Sequence, residues 1–419
     1  MKRIFILLVF ILSGFSTFCQ VSGKIEMGKL DLRNWDADKQ PIITLDGEWL
    51  FQWEQFLSWS DLVKGKKIYA AFSTPWNEQP INGNKLPKNG FATYATEIIL
   101  PVDMNEISIQ IPAFFNSYSL WINDVPICSN GIVGISKAEE VPEWKPQTVS
   151  VKLQSNIAHV VIHISNFQDT RGGATQVIKV SKGTTLISAE ARDNVTGSIM
   201  FLVFLAVGVV GVIIYYLSRQ PNVIYFSMAS IAFAIRFLFS DMYLYYDLLP
   251  IDVPWHLAVR IEYATIPFIV GWSTLFVSGQ YPNEFKKPVR MFFVLTSILY
   301  LVLTTLVGFE FISQLLLFSQ VTTLAFLVYA IIAITNAILD NRVGAWTSAI
   351  GLAICVLVGF YNIAILLSGG EINRLIIYGG YAIALILNAL SLLYRTDDQI
   401  AKESRNRLNY SDFYSDSDK

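Results

Sequence analysis

Charge, cysteine and histidine are all scarce in this sequence of 419 residues. Charged residues make up 15% of the chain and the formal net charge is −2, so no basic surface points to a nucleic-acid partner. Of the cysteines, Cys19 lies in an expected leader and Cys355 in an expected membrane segment, which leaves Cys128 without an intrachain disulfide partner. The 3 histidines are scattered, so no metal or other cofactor is predicted.

Hydrophobic residues, in contrast, are abundant. They make up 53% of the chain, the mean hydropathy is +0.45, and the excess lies almost entirely after residue 196. Short polar breaks divide this part into segments long enough to cross a bilayer core of about 30 Å as helices. The ten-residue alternation of a membrane β-barrel is absent. The sequence therefore predicts an all-α bundle of seven transmembrane helices within 197–395, at 197–218, 222–246, 256–279, 290–309, 311–336, 344–368 and 373–394.

The N-terminus has the features of a secretory signal peptide. Lys2 and Arg3 precede a short apolar run and then small and polar residues, so we expect a leader over residues 1–19 with cleavage after Cys19. A lipid-modified Cys19 is the weaker alternative, because the preceding Phe18 is bulky. Cleavage would leave the mature N-terminus outside the cytoplasm.

Residues 22–190 show a different pattern, in which short β-rich runs alternate with turn-forming clusters. Ile107, Ile109 and Ile111 alternate with polar residues, so one face of that strand is expected to be core. About 165 residues are enough for one sandwich. We predict an extracytoplasmic all-β jelly-roll sandwich that acts as a sensor. Its expected strands are Ile42–Trp53, Phe91–Leu100, Glu106–Ile111, Tyr118–Ile127, Thr148–Leu153, His159–Ser165 and Gln176–Ser181.

Aromatic residues are dense in this region and offer candidate ligand contacts. Phe114, Phe115 and Tyr118 follow a proline in a predicted loop, where ligand-contacting residues are common. With Trp76 they form the predicted ligand-binding set. The alternative is that they fill the core, since large aromatic residues dominate burial.

Several stretches carry a family resemblance. Residues Leu45–Phe51 (LDGEWLF) have the form of the opening strand of sugar-binding jelly rolls such as those of glycoside hydrolase family 2 enzymes. Further along come Ser117–Asn123 (SYSLWIN) and Ser165–Phe167, the latter followed by two glycines. A jelly roll with these pieces ahead of seven helices resembles the bacterial seven-transmembrane receptors with diverse intracellular signalling modules. The sub-type is the one with the second class of extracellular domain. The resemblance covers residues 25–395.

The resemblance implies a receptor that binds a small, carbohydrate-like ligand outside and signals to a cytoplasmic module. After Arg395 the sequence given holds only residues 396–419, too few to bury a core, and we expect this tail to be part helix and part disordered. The output is therefore expected to act in trans, through a kinase or regulator, unless the natural chain continues further. A homodimer is left open.

Charge predicts the orientation of the helices. Cytoplasmic loops are enriched in Lys and Arg. With the N-terminus outside, the inner loops hold the basic residues and the outer loops hold acidic ones. We therefore expect a bacterial inner-membrane protein with a periplasmic N-terminus and a cytoplasmic C-terminus. The inner residues are Arg219, Lys286, Lys287, Arg290 and Arg342, and the outer residues are Asp247, Asp252 and Glu310.

Arg236 and Glu262 fall inside predicted helices two and three. Charges there are expensive in lipid and are candidates for function. A pair between them is expected to act as a transmembrane switch, and Asp241 is a second candidate partner for Arg236. The alternatives are that Arg236 fixes helix packing, snorkels to the interface or lines an ion pathway.

Two other functions compete with the receptor. A membrane transporter or channel with a substrate-capturing ectodomain is the main alternative, but internal repeats are absent and Pro267 is the one clear intramembrane proline. An enzyme is the second alternative, but no paired-acid motif is recognisable from spacing. No catalytic residue is predicted.

Overall fold

The computed structural model describes residues 23–240, 242–368 and 373–417, and beyond residue 396 it describes only the backbone. The predicted signal peptide and Asp241 lie outside the described residues. Within them, strands and one short helix occupy the chain up to residue 182, and long helices follow from Thr185.

The described chain contains eleven strands that form two sheets. They are β1 (Gly23–Ile25), β2 (Lys29–Asp31), β3 (Ile42–Trp53), β4 (Tyr69–Ala71), β5 (Gly90–Ile99), β6 (Glu106–Ile111), β7 (Ser117–Ile122), β8 (Val125–Asn130), β9 (Gln147–Lys152), β10 (Ile157–Asn166) and β11 (Ile178–Lys182). Hydrogen bonds connect eight of them in the order β8-β7-β10-β5-β3-β11-β6-β9, while β1 and β4 pair with β3 and β2 pairs with β5. The result is a nearly closed jelly-roll-like sandwich, and the predicted all-β fold of this region is confirmed.

Strand β3 belongs to both sheets. Its first half pairs with β1 and β11, and its second half pairs with β4 and β5. The corner lies at Gly47, where φ is 121°. A Cβ at this position would lie 2.3 Å from the carbonyl oxygen of Ile25, so only glycine allows the strand to bend here.

The core lies between the two sheets and follows the alternation in the sequence. Ile107, Ile109 and Ile111 are all buried in it, as are Trp49 and Phe51 of β3. One predicted strand is divided in two. The run Tyr118–Ile127 turns at residues 123–124, where both φ values are positive (50° and 62°), and forms the β7–β8 hairpin.

The helices are α1 (Trp59–Lys64), α2 (Thr185–Ser218), α3 (Pro221–Phe239), α4 (Tyr245–Leu248), α5 (Trp255–Gln280), α6 (Lys287–Leu306), α7 (Phe309–Leu339), α8 (Ala345–Ser368) and α9 (Arg374–Ser417). In the described ranges, seven of them are long and apolar enough to cross a membrane. The predicted seven-helix membrane fold is thereby confirmed. Three boundaries differ from the prediction by more than three residues. Helix α2 begins at Thr185 rather than 197, and α3 ends at Phe239 rather than 246 because Ser240 is extended. Helix α9 continues to Ser417, past the predicted end of the span at 394.

Helix α2 starts on the sandwich itself. Ser108 of β6 and Ser181 of β11 point out of the core toward the helix, and their hydroxyl oxygens accept hydrogen bonds from the backbone N–H of Leu186 at 3.3 and 3.2 Å. They take the place of an N-cap side chain, since Thr184 makes no such bond. From this anchor the helix runs without a break for 34 residues, about 50 Å.

Candidate functional site

The loops 112–116, 131–146 and 167–177 connect the two sheets at one end of the sandwich, and this end faces the helices. Ala113 and Trp144 are buried there against α3, α4 and α5. The Trp144 ring centroid lies 4.8 Å from that of Phe115 and 6.0 Å from that of Trp255. We call this contact the junction. Its buried members on the helical side are Leu238, Phe239, Tyr243, Leu244, Tyr245, Ala258 and Val259.

The junction is largely apolar, and burial affects two of its tyrosines. Burial raises the pKa of Tyr246 to about 12 and also raises the pKa of Tyr245. Both hydroxyls therefore stay protonated at physiological pH. At the rim, Lys145 Nζ lies 4.8 Å from the centroid of the Tyr246 ring, a cation–π contact between sandwich and helices.

Phe115 has a strained backbone at the edge of the junction. Its φ is 64°, in the left-handed region that bulky residues rarely adopt. Its ring packs on Trp144, and the Arg171 guanidinium carbon lies 5.1 Å from the ring centroid. Strain of this kind persists where the surroundings hold it in place, and it is common at functional sites.

We call the end of the sandwich formed by loops 112–116, 131–146 and 167–177 the loop end. The structure groups the four predicted ligand residues around it. Trp76, Phe114 and Tyr118 are fully buried in the sandwich core, and Phe115 is half-buried at the junction. The chain after Pro112 turns inward because burying Phe114 removes a large apolar surface from water. The ligand-binding role of the four stays a prediction.

Sequence reasoning missed Asn116. Its Nδ2 donates to the carbonyl oxygens of Phe114 at 3.2 Å and Gly173 at 2.6 Å. The side chain thus ties the loop 112–116 to the loop 167–177. The turn signal at Gly172-Gly173 and the aromatic run before Asn116 were both visible in the sequence. Their contact across the sandwich was not.

Glu140 is a buried carboxylate in the same group of loops. Its Oε1 accepts a hydrogen bond from the Ser165 hydroxyl at 3.1 Å, and its Oε2 accepts one from the Phe167 N–H at 2.9 Å. Burial raises the pKa of this carboxyl group, and the hydrogen bonds only partly offset that effect. Glu140 thereby fastens the loop 131–146 to the end of β10.

Arg236 and Glu262 meet at the contact between α3 and α5. Arg236 Nη1 donates to the Thr265 hydroxyl at 3.1 Å and lies 3.4 Å from the backbone carbonyl oxygen of Glu262. These bonds satisfy part of the hydrogen-bonding capacity of the Arg236 guanidinium group inside the bundle. The role of Arg236 and Glu262 as a switch stays a prediction.

Two arginines near the sandwich-side ends of the helices have structural partners. Arg260 donates to the carbonyl oxygen of Thr304 and, at 2.9 Å, to that of Val307, so it caps the C-terminus of α6. Arg374 at the start of α9 lies 3.4 Å from the Asp193 carboxylate of α2. These two cations therefore serve helix ends and helix pairing.

At the opposite end of the bundle a set of hydroxyls surrounds α9. The Tyr281 hydroxyl donates to Ser348 Oγ at 2.9 Å, and Ser348 Oγ lies 2.8 Å from Ser391 Oγ of α9. One turn later, the Thr396 hydroxyl donates to Gln220 Oε1 at 3.1 Å. We call these five residues the collar. It links α9 to the end of α5, to α8 and to the α2–α3 connection.

A crevice that is open to one side lies between α5, α6 and α7. Its volume is about 220 Å³ when the open solvent in its mouth is included. Pro267 and several hydroxyl side chains line it, including Ser297, Ser319 and Thr323. The Ser319 and Thr323 hydroxyls donate to backbone carbonyl oxygens of their own helix. In the part of the chain that the structure describes, no three His, Cys, Asp or Glu side chains meet as a metal site.

The fold and the junction define a multi-pass membrane protein that carries a β-sandwich seated on its helices. Residues 193–395 match the model of the family described as 7TM diverse intracellular signalling. Through this helical region the chain belongs to that family. A comparison with curated proteins found no match.

Part of the chain is similar to segments of solved glycoside hydrolases. A family 2 β-galacturonidase from Eisenbergiella tayi, bound to galacturonate, shares 13% identity over 34% of this chain and 24% of its own, with a TM-score of 0.25. A β-glucuronidase from Faecalibacterium prausnitzii shares 11% identity over 34% of this chain and 31% of its own, also with a TM-score of 0.25. The chain thus spans less than a third of either enzyme. Scores this low carry no argument about ligand or activity.

Proposed function

We propose that this protein is a transmembrane signalling receptor of the bacterial inner membrane. Its sandwich binds a small ligand in the periplasm, with carbohydrate as the class implied by the resemblance. Its helices pass the change to a cytoplasmic signalling protein in trans, such as a kinase or regulator. Intracellular signalling is the described role of the family to which the helices belong. We propose no catalytic activity for the described residues.

One observation carries this proposal: the sandwich is attached to the bundle at two places. Helix α2 is anchored on the sheet through the backbone N–H of Leu186. The loop end packs on α3, α4 and α5 through the contact of Trp144 with Trp255. A change in the position of the sandwich therefore shifts the outer ends of several membrane helices. Close-packed elements of this kind transmit such shifts as discrete rearrangements.

The ligand must favour one arrangement of the bundle over the other. A ligand with equal affinity for two states shifts nothing, however tightly it binds. The loop end can give the ligand a different affinity for the two arrangements, because its loops border both the predicted ligand residues and the junction. Phe115 belongs to both groups.

The proposed orientation has the sandwich outside and the end of α9 inside. Lys286 in the α5–α6 connection, Lys287 and Arg290 at the start of α6, and Arg342 in the α7–α8 connection support it, since such residues remain in the cytoplasm. Arg260 and Arg374 on the sandwich side are outnumbered by these residues and Arg219 at the opposite end.

The test measures whether the outer contact controls the inner end. Hydrogen–deuterium exchange of the full chain in lipid nanodiscs is compared between the wild type and Trp144→Ala. We expect severalfold faster amide exchange around Ser348 and Ser391 in the collar, because loss of the Trp144 ring loosens the helices that the junction holds.

The matched control is Trp59→Ala, since Trp59 stacks on His159 in the sandwich, outside the junction. Trp255→Ala removes the same junction contact from the helical side and is expected to reproduce the Trp144→Ala pattern. If exchange at the collar stays at the wild-type rate in both junction variants, transmission through the junction is refuted.

A further inference from the structure

Loop 131–146 presents three large apolar side chains to the outside of the protein. Ile132, Ile135 and Val141 are exposed over 60%, 57% and 49% of their surface. Ile132 and Val141 exchange two backbone hydrogen bonds of 2.8 and 3.0 Å, so they lie directly opposite each other with their side chains on one face. We call these three residues the loop patch. Apolar residues that are exposed together mark a contact surface.

The loop patch is held rigidly by the sandwich. The Gly134 N–H donates to Ser165 Oγ at 3.2 Å, and the Ser117 hydroxyl donates to the Val141 carbonyl oxygen at 3.1 Å. Between these two points Glu140 is buried and accepts a hydrogen bond from the same Ser165 hydroxyl. The fold itself therefore directs the apolar side chains of the loop outward.

The same loop lies at the level where membrane helices begin and end. Its Trp144 ring contacts Trp255, the first residue of α5, and Phe239, the last residue of α3, is buried in the same junction. Helix α3 has 19 residues, which corresponds to about 28 Å and is close to the thickness of a bilayer core. Its end therefore lies at the boundary between acyl chains and headgroups. The loop that packs on this end lies at that boundary too.

Neighbouring parts of the helical side extend the apolar surface. Ile251 and Leu248 are 67% and 43% exposed, and α4, which contains Leu248, is joined to the loop through the contact of Lys145 with Tyr246. Lys137 is also exposed in the loop. A lysine at this level keeps its ammonium group among phosphates and water while neighbouring apolar side chains enter the acyl region. These surroundings have the chemistry of a lipid interface.

We propose that loop 131–146 inserts the loop patch into the lipid leaflet on the sandwich side of the membrane. Exposure alone does not select this loop, because Val102 and Val125 are 89% and 57% exposed at the far end of the sandwich. Its position selects it, since phospholipid is the apolar phase present at the ends of α3 and α5. The proposal goes beyond the signalling function and requires only that the helices span a bilayer.

Lipid contact gives the sandwich a third attachment, in addition to α2 and the junction. Glu140 fastens the loop to the end of β10, and Trp144 fastens it to α5. A displacement of the loop relative to the leaflet therefore acts on the sandwich and on the helices. The position of the sandwich then depends on the bilayer as well as on contacts within the protein.

The experiment uses the full chain with its native cysteines replaced, at one copy per phosphatidylcholine nanodisc. Ile135→Cys carries the environment-sensitive dye NBD, and the nanodiscs are prepared with and without phosphatidylcholine that bears a nitroxide near the headgroup end of its acyl chains. We expect the nitroxide lipid to quench this dye severalfold more strongly than a dye at the control position. Its emission should also be blue-shifted and protected from aqueous iodide. Ile132→Cys repeats the measurement from the paired side of the loop.

Val125→Cys is the matched control. Val125 and Ile135 are equally exposed at 57%, but Val125 begins β8, and the other end of this strand leads into loop 131–146. At about 3.4 Å per residue, the strand places Val125 about 17 Å from Asn130 and away from the membrane-side end.

Two results would overturn the proposal. The first is equal quenching of the dyes in Ile135→Cys and Val125→Cys by the nitroxide lipid. The second is protection of Ile135→Cys from iodide without quenching by the nitroxide lipid, which would assign the loop patch to a contact with protein. Neither result bears on the Trp144 exchange experiment, which does not depend on lipid contact of the loop.

Discussion

Glu140 shows how one buried side chain makes the loop end sensitive to pH. Its folded pKa is raised because burial penalises the charged form, and the unfolded value is about 4.3. Between these two values the folded state binds more protons than the unfolded state. The stability contributed by Glu140 is therefore complete below the unfolded pKa and is lost as pH rises through the folded pKa.

We predict that Glu140→Gln reduces the loss of stability with rising pH. The measurement is the Tm of wild type and variant in nanodiscs between about pH 4 and 8. The Tm of the variant minus the Tm of the wild type should increase as pH rises, because glutamine carries no charge to desolvate. The exposed Glu139→Gln serves as control. A Tm difference that is constant over this range would contradict the assigned role of burial.

At this scale the sequence grouped Phe114, Phe115 and Tyr118 and left open whether they contact a ligand or fill the core. Tyr118 was expected in a loop, but it lies in β7. Which of them turns inward depends on the opposite sheet, and the sequence spacing contains no information on that contact. Asn116 was missed for the same reason, since its partner Gly173 lies 57 residues away.

Helix α2 is the element that physically unites the two halves of the molecule. Its first turns lie on the sandwich and its later turns contact α3, so its start and its membrane span belong to one rigid rod. The anchor at Leu186 determines where this rod begins. A weaker anchor would allow the sandwich to move without moving the helix.

The double variant Ser108→Ala, Ser181→Ala tests this anchor. Removing both acceptors leaves the Leu186 N–H without its partners, and we expect a loss of about 1 kcal/mol in the free energy of unfolding, as for a deleted helix cap. Chemical denaturation of the full chain measures it. Ser150→Ala on β9, where the exposed hydroxyl bonds to Glu106, is the matched control. Equal stability of the double variant and this control would rule out a capping role.

The elements themselves were largely predictable, for two physical reasons. Membrane helices require long apolar runs, so the seven spans could be found by length and composition. Period-two alternation identified the core face of β6. The start of α2 was missed because residues 185–196 are polar and rest on the sandwich. The β7–β8 turn was missed because Asn123-Asp124 contains no glycine.

For the whole molecule, the proposed orientation predicts opposite labelling of two cysteine variants. In a background with the native cysteines replaced, Lys137→Cys lies in the sandwich loop 131–146 and Lys286→Cys lies between α5 and α6. We expect an impermeant maleimide to label Lys137→Cys at the outer face of the inner membrane in spheroplasts. Lys286→Cys should be labelled only after lysis. The reverse pattern would invert the topology and refute a periplasmic sensor.

The collar also has a consequence for the proposed coupling to a partner. Its contacts with α9 come from Ser391 and Thr396, so they fall at or before residue 396. Under the proposed orientation this is the cytoplasmic end of the bundle. The collar would there fix the position of one helix, and a partner in trans would detect the signal as a displacement of α9.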